Sequence, residues 1–174
     1  MHKFDNGSAE VFVFTYKEGL LSAVAHDLKI RVNDFEITVD EENNDLTARF
    51  NPASLQVVNA MKEGRDTPGT PGDNDKKTIQ DTIQNDVLHT KKFGEITFEL
   101  EAHRAAGDGY QIKGDLNLHG QKKSVMVDVR QENGHFVAET TLHQPDFGIK
   151  PYSAMMGTLK IKPDVKIQVR VPRW

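Results

Sequence analysis

The stretch Tyr110–Arg130, YQIKGDLNLHGQKKSVMVDVR, decides the fold. Tyr110, Ile112, Leu116 and Leu118 fall at every second position, with Gly114 in the gap. His119-Gly120-Gln121-Lys122-Lys123 interrupts them, and Val125, Val127 and Val129 resume the alternation. Period two on both sides of a short polar break is a β-hairpin signal. Successive strand side chains point to opposite faces, so each arm carries one apolar and one polar face. A lone two-stranded ribbon is marginal in water, so other strands must cover that apolar face.

Working outward, those strands are visible. Glu10–Tyr16, EVFVFTY, is short, aromatic and β-branched, and apolar on both faces, which fits a doubly buried strand. Gly19–Ala25 reads as a short helix or an apolar bend. His26–Asp40 reads as one long strand whose apolar parity switches at Asn33-Asp34, from Leu28, Ile30 and Val32 to Phe35, Ile37 and Val39. That switch predicts a bulge, which bends the strand. Leu46–Asn51 and Glu95–His103 are further strands, as are Gly134–His143 and Lys160–Val171. The segment 59–77, with EGRDTPGTPGDNDKK, has no period and predicts a flexible surface loop. Over 78–90, Ile79, Ile83 and Val87 recur every four residues, which predicts a helix with Thr78 as N-cap, lying as a lid on the core. Tyr152–Thr158 reads as a short Met-rich turn or helical piece.

About eight strands and one convincing helix predict an all-β fold, an eight-stranded antiparallel barrel capped by an α-helix. Closed at that size, a barrel is filled by side chains or holds one small ligand. The 174 residues fit a single domain, 1–174. No run of about 18 apolar residues predicts a transmembrane helix. Met1–Gly7 has no apolar h-region, so the expected location is cytoplasmic, or periplasmic if an export signal has been removed. The chain has no cysteine, and its net charge of −4 is interspersed, which argues against generic nucleic-acid binding.

Several stretches together resemble the YceI-like family, lipocalin-like proteins that bind polyisoprenoids. GDLNLHGQKKSVMVDV is similar to the family's Gly-x-Leu hairpin. SLQVVNA and the helix running into DVLHTKKFGEITFEL are similar to its Ser-Leu segment, lid helix and following strand. DFGIKPYSAMMGTLKIKPDVKIQVRV is similar to its closing Asp-Phe-Gly and last strand. The resemblance covers nearly the whole chain. It implies a lipocalin-like barrel with an apolar tunnel for a long isoprenoid chain, a non-enzymatic role, no cofactor other than that lipid ligand, and compatibility with a homodimer.

Elementary energetics fits such a role. Burial contributes roughly 0.8 kcal/mol per CH₂, so a chain of about twenty carbons gains about 16 kcal/mol gross, part of which is lost in ordering it. The candidate tunnel residues are Phe12, Phe14, Leu20, Leu21, Val24, Phe98, Leu116, Phe136, Phe147, Met155 and Met156. Each is also the kind of residue that fills an ordinary core. His26 and Asp27 are candidates for the mouth and a head group, or for a turn in which Asp27 accepts from nearby backbone. A hydrolase or metal enzyme using His26, Asp27 and His119 is the competing reading, as is a ligand-free scaffold barrel. No GxSxG, HExxH or paired-carboxylate motif supports catalysis, and the histidines lack metal-ligand spacing.

Overall fold

The computed structural model describes residues 1–19 and 25–174, with Met155 described in its backbone alone. The chain opens with β1 (His2–Phe4), β2 (Glu10–Thr15) and the two-residue β3 (Lys17–Glu18). β4 (Asp27–Val32) and β5 (Phe35–Asp40) are one run broken at Asn33-Asp34, where the parity switch places the bend. Leu28, Ile30 and Val32 are buried before the corner, and Phe35 and Ile37 after it. Ser54 fixes the corner: its hydroxyl oxygen accepts from the backbone N–H of Asn33 (3.1 Å) and Asp34 (2.9 Å). β6 (Asp45–Phe50) and β7 (Leu55–Lys62) flank a matching corner, a 3-10 turn over Pro52–Ser54.

The expected loop over 59–77 is corrected. Its first residues complete β7, and β8 (Arg65–Thr67) folds back on it. The link is Glu63-Gly64, both at positive φ (52° and 76°), the geometry of a two-residue hairpin turn. Asn59 is buried, and its amide donates to the Ala60 carbonyl (2.8 Å) and the Asp66 carboxylate (2.9 Å). That amide, ahead of the nearby Lys29, holds the Asp66 carboxyl below the usual range.

The helix is also shifted. α1 spans Asp73–Thr82, five residues earlier than the predicted start at Thr78, and continues as a π-helical turn over Ile83–Val87. Asp73 and Asp75 sit in the first turn, where carboxylates complement the exposed N–H groups. Thr78 is therefore interior, its hydroxyl donating to the Asn74 carbonyl (3.1 Å). Two glutamines dock the helix. The Gln80 side-chain oxygen accepts from Val57 N–H (2.9 Å), and the Gln84 amide donates to the Pro52 carbonyl (2.9 Å).

The remaining strands are β9 (Ile96–Ala106), β10 (Gly109–Leu118), β11 (Gln121–Glu132) and β12 (His135–His143). The short β13 (Ser153–Ala154) and β14 (Leu159–Ile161) follow, then β15 (Asp164–Pro172). The hairpin read from Tyr110–Arg130 is β10–β11, with Tyr110 opposite Val129 and Leu118 opposite Gln121. β13, β14 and β3 form a small separate sheet.

The main sheet is antiparallel, with order β1-β5-β6-β9-β10-β11-β12-β15-β2-β4-β7-β8. It has twelve strands where eight are expected. The expected strand His26–Asp40 splits at the Asn33-Asp34 corner, β7 beyond the Pro52–Ser54 corner is an added strand, and the short β1 and β8 add one at each edge. β4 and β5 are contiguous in the chain yet lie near opposite ends of the strand order, so the sheet curls strongly. One buried cluster, including Val11, Ile30, Phe98 and Leu116, sits inside the curl, with Ile79, Ile83, Val87 and Leu88 packed on it.

Candidate functional site

The curl encloses an elongated cavity of about 860 Å³. Its wall follows from strand alternation and register. Tyr110 faces Val129, Val129 faces Ala138, Ala138 faces Val169 and Val169 faces Val11, a row across five strands. All five residues line the cavity. One level along, Ile30, Val13, Ile167 and Thr140 form a second row, and they line it too.

Phe98 reaches further in. Gly114 makes room for it: a Cβ on Gly114 would lie 2.2 Å from the Phe98 ring and 2.6 Å from the Glu99 carbonyl oxygen. The β9–β10 register shifts between Lys113 and Gly114 at this point, a bulge that bends the pair around the ring. Pro52, Leu55, Ile83, Val87, Leu88 and Leu118 line the end covered by the helix. The π turn brings adjacent Val87 and Leu88 both to the lumen.

The other end carries Asp40, Glu41, Asn44, Asp45, His103, Tyr110 and Trp174. Trp174 sits at this end, about half exposed. Its ring stacks on His2 (4.9 Å between centroids) and tilts against Phe136 (5.1 Å), and its indole N–H donates to Glu41. The Asn43 side-chain amide, with the backbone N–H groups of Asn43 and Glu42, holds the Asp40 carboxyl below its ordinary range.

Of the sequence-predicted tunnel residues, Phe98, Leu116 and Phe136 line the cavity. Phe12 and Phe14 do not. Val11, Val13 and Thr15 take the inner face of β2, so the two phenylalanines face outward, under the Lys29 ammonium (4.5 Å from the Phe12 ring) and the Lys166 ammonium (4.9 Å from Phe14). Phe147 is 2 % exposed but belongs to the packed core beside the lumen. Met156 is fully exposed, at φ 56° in the Met155–Gly157 turn. Leu20, Leu21, Val24 and the Met155 side chain fall outside the described residues.

His26 is exposed, and the Asp27 carboxylate, at the start of β4, accepts from the backbone N–H of Lys17 in β3 (2.8 Å); neither residue lines the cavity. His119 lies at the β10–β11 turn, its Nδ1 3.3 Å from the Phe147 carbonyl oxygen and its ring 4.2 Å from Phe93. Burial lowers its pKa, the Phe147 carbonyl opposes that, and His89 and Lys92 lower it further. Among the described residues no three His, Asp or Glu side chains gather as metal ligands. No described helix is long and apolar enough to cross a membrane.

The inner valines of β2 and β15, Trp174 and the carboxylate rim are site features that sequence reasoning missed. A signal for the valines existed: Val165, Ile167, Val169 and Val171 share one phase on β15, and Val11 and Val13 pair with that phase.

The same architecture recurs in solved structures. BcnA of Burkholderia cenocepacia superposes with a TM-score of 0.66 at 17 % identity, over 98 % of this chain and 99 % of that one. A polyisoprenoid binding domain from Saccharophagus degradans, implicated in plant cell wall breakdown, gives 0.57 at 9 % identity, over 95 % and 94 %. The Campylobacter jejuni YCEI protein gives 0.54 at 16 % identity, over 83 % and 84 %. No curated protein matches the chain. The family model of the YceI-like domain matches residues 3–172, and the chain therefore belongs to the YceI-like family.

Proposed function

We propose that the protein is a non-enzymatic carrier that holds one long, apolar, isoprenoid-type chain in its barrel cavity. The observation that carries this reading is the lumen itself, about 860 Å³ and walled by aliphatic side chains along its length. That volume falls within the range of about 300–1,000 Å³ typical of small-molecule sites. An apolar lining of this extent offers a hydrocarbon chain many dispersion contacts. The name of the Saccharophagus degradans domain, a relative in fold, points to the same ligand class. His26 is exposed, Asp27 is tied to the Lys17 backbone, and His119 packs on Phe93 beside the Phe147 carbonyl, which favours binding over hydrolysis.

Phe98, Leu116 and Phe136 are the aromatic and leucine contacts proposed for the tail, with the valines of β2, β11 and β15 around them. Organic extraction of protein purified without detergent, followed by mass spectrometry, tests the reading. A prenyl chain in near-stoichiometric amount is the expected result. Protein that carries no prenyl lipid and takes none up from vesicles overturns it.

A further inference from the structure

The charged groups of the cavity all lie at one end. They are Asp40, Glu41 and Asp45, all carboxylates, and no lysine or arginine is among the described lining residues. Residues 20–24 and Met155 carry no ionisable side chain. The same end holds Asn44, His103 and Tyr110, groups able to hydrogen-bond a head group. Away from that end the polar lining groups carry no charge: Gln144, whose amide already donates to the Lys162 carbonyl (3.2 Å), Thr140, whose hydroxyl donates to the Met126 carbonyl (2.8 Å), and Thr15, whose hydroxyl is buried without a partner.

Basic side chains do occur nearby, but outside the lining. His2 lies 3.8 Å from Glu41, and the Arg173 guanidinium sits 5.9 Å from the Phe136 ring. His89, Lys91, Lys92 and His119 belong to a separate cleft of about 470 Å³ that shares no lining residue with the cavity. A phosphate seated at the Trp174 end therefore meets three like charges; Glu41 and Asp45 are exposed and Asp40 half-buried, so the repulsion is strongest at low salt and is screened as salt is added.

We propose that the cavity selects chains with an uncharged polar head and rejects phosphorylated ones, with Asp40, Glu41 and Asp45 setting the choice. This rests on the carrier reading above. A charge mismatch of this kind discriminates by repelling the wrong ligand as much as by fitting the right one.

Competition of geranylgeraniol and geranylgeranyl monophosphate against tritiated geranylgeraniol, on the full chain at low salt, tests it. The alcohol is expected to bind tighter by about tenfold or more, a difference of about 1.4 kcal/mol. In the D45N/E41Q double variant the phosphate is expected to gain, bringing the ratio to about threefold or less. Raising the salt concentration on the unaltered protein is expected to narrow the ratio in the same direction, and this measurement does not depend on the variant folding. A phosphate that binds as tightly as the alcohol, or a ratio indifferent to both salt and substitution, overturns the selectivity. If labelled geranylgeraniol does not bind at all, the carrier reading falls and the selectivity with it.

Discussion

Ala138 sits in the middle of the five-strand row, between Val129 and Val169, with its methyl toward the lumen. Replacing it with phenylalanine separates an open bore from a packed core. In a packed core the added ring forces neighbours off their rotamers and costs about 1–3 kcal/mol. In the lumen it meets space. Filling that space buries roughly 100 Å² more apolar surface than alanine does, about 2.5 kcal/mol as an upper bound at ~25 cal/mol per Å². Ordering the ring takes back up to about 1 kcal/mol. The net is neutral to stabilising by about 2 kcal/mol, a Tm change of about 0 to +8 °C for a chain of this length. The ring also obstructs the lumen at the level of Val11 and Val169, so prenyl affinity should fall by about tenfold or more. Thermal unfolding of extracted protein and a titration with tritiated geranylgeraniol read the two effects. A138F protein that loses several degrees of Tm, or that binds the chain undiminished, refutes the open-bore reasoning.

Three further outcomes follow from named contacts. G114A places a methyl against the Phe98 ring and the immovable Glu99 carbonyl, so it should destabilise by about 1–3 kcal/mol in urea unfolding; adding F98L should recover part of the loss and not all of it. Burial depresses the His119 pKa, so the unfolded chain takes up a proton first as pH falls below about 6.5, and stability should decline from there down to the folded-state pKa. H119N, which suits the positive φ of 53° at that position, should flatten this stretch of the pH–stability curve; an unchanged slope assigns it to another group. Q84A removes the bond to the Pro52 carbonyl and the 2.6 Å bond from the Thr90 hydroxyl. It should cost about 1–3 kcal/mol and speed hydrogen exchange in α1 before the β10–β11 core.

The strands and the corner at Asn33-Asp34 were legible because each half of that run buries alternate residues, and a parity switch can mean little but a bend. The hairpin was legible for the same reason. The inner face of β2 was not. Val11 to Phe14 is apolar at every position, so the sequence offers two parities, and size favoured Phe12 and Phe14. The structure decides otherwise because lysine and arginine stems cover those rings from outside, while valines leave the bore clear. Glu63-Gly64 is a turn signal buried in a polar stretch, and the short β8 after it has no apolar phase of its own to mark it. The helix start was masked by polarity: Asp73–Lys77 has no apolar stripe, and its helicity depends on end charges and on Gln80 and Gln84 reaching β7 and its corner. Trp174 and the carboxylate rim come from two distant parts of the chain, and their meeting depends on sheet curvature that no local pattern encodes.

The central claim is that the curled sheet holds a hydrocarbon chain inside it. A crystal structure of the protein with a terminally brominated geranylgeranyl chain tests this most directly. The account predicts a single anomalous peak inside the lumen, with continuous density passing Phe98 and Leu116. A peak confined to the outer surface, with the lumen filled by ordered water or collapsed onto its own side chains, contradicts it.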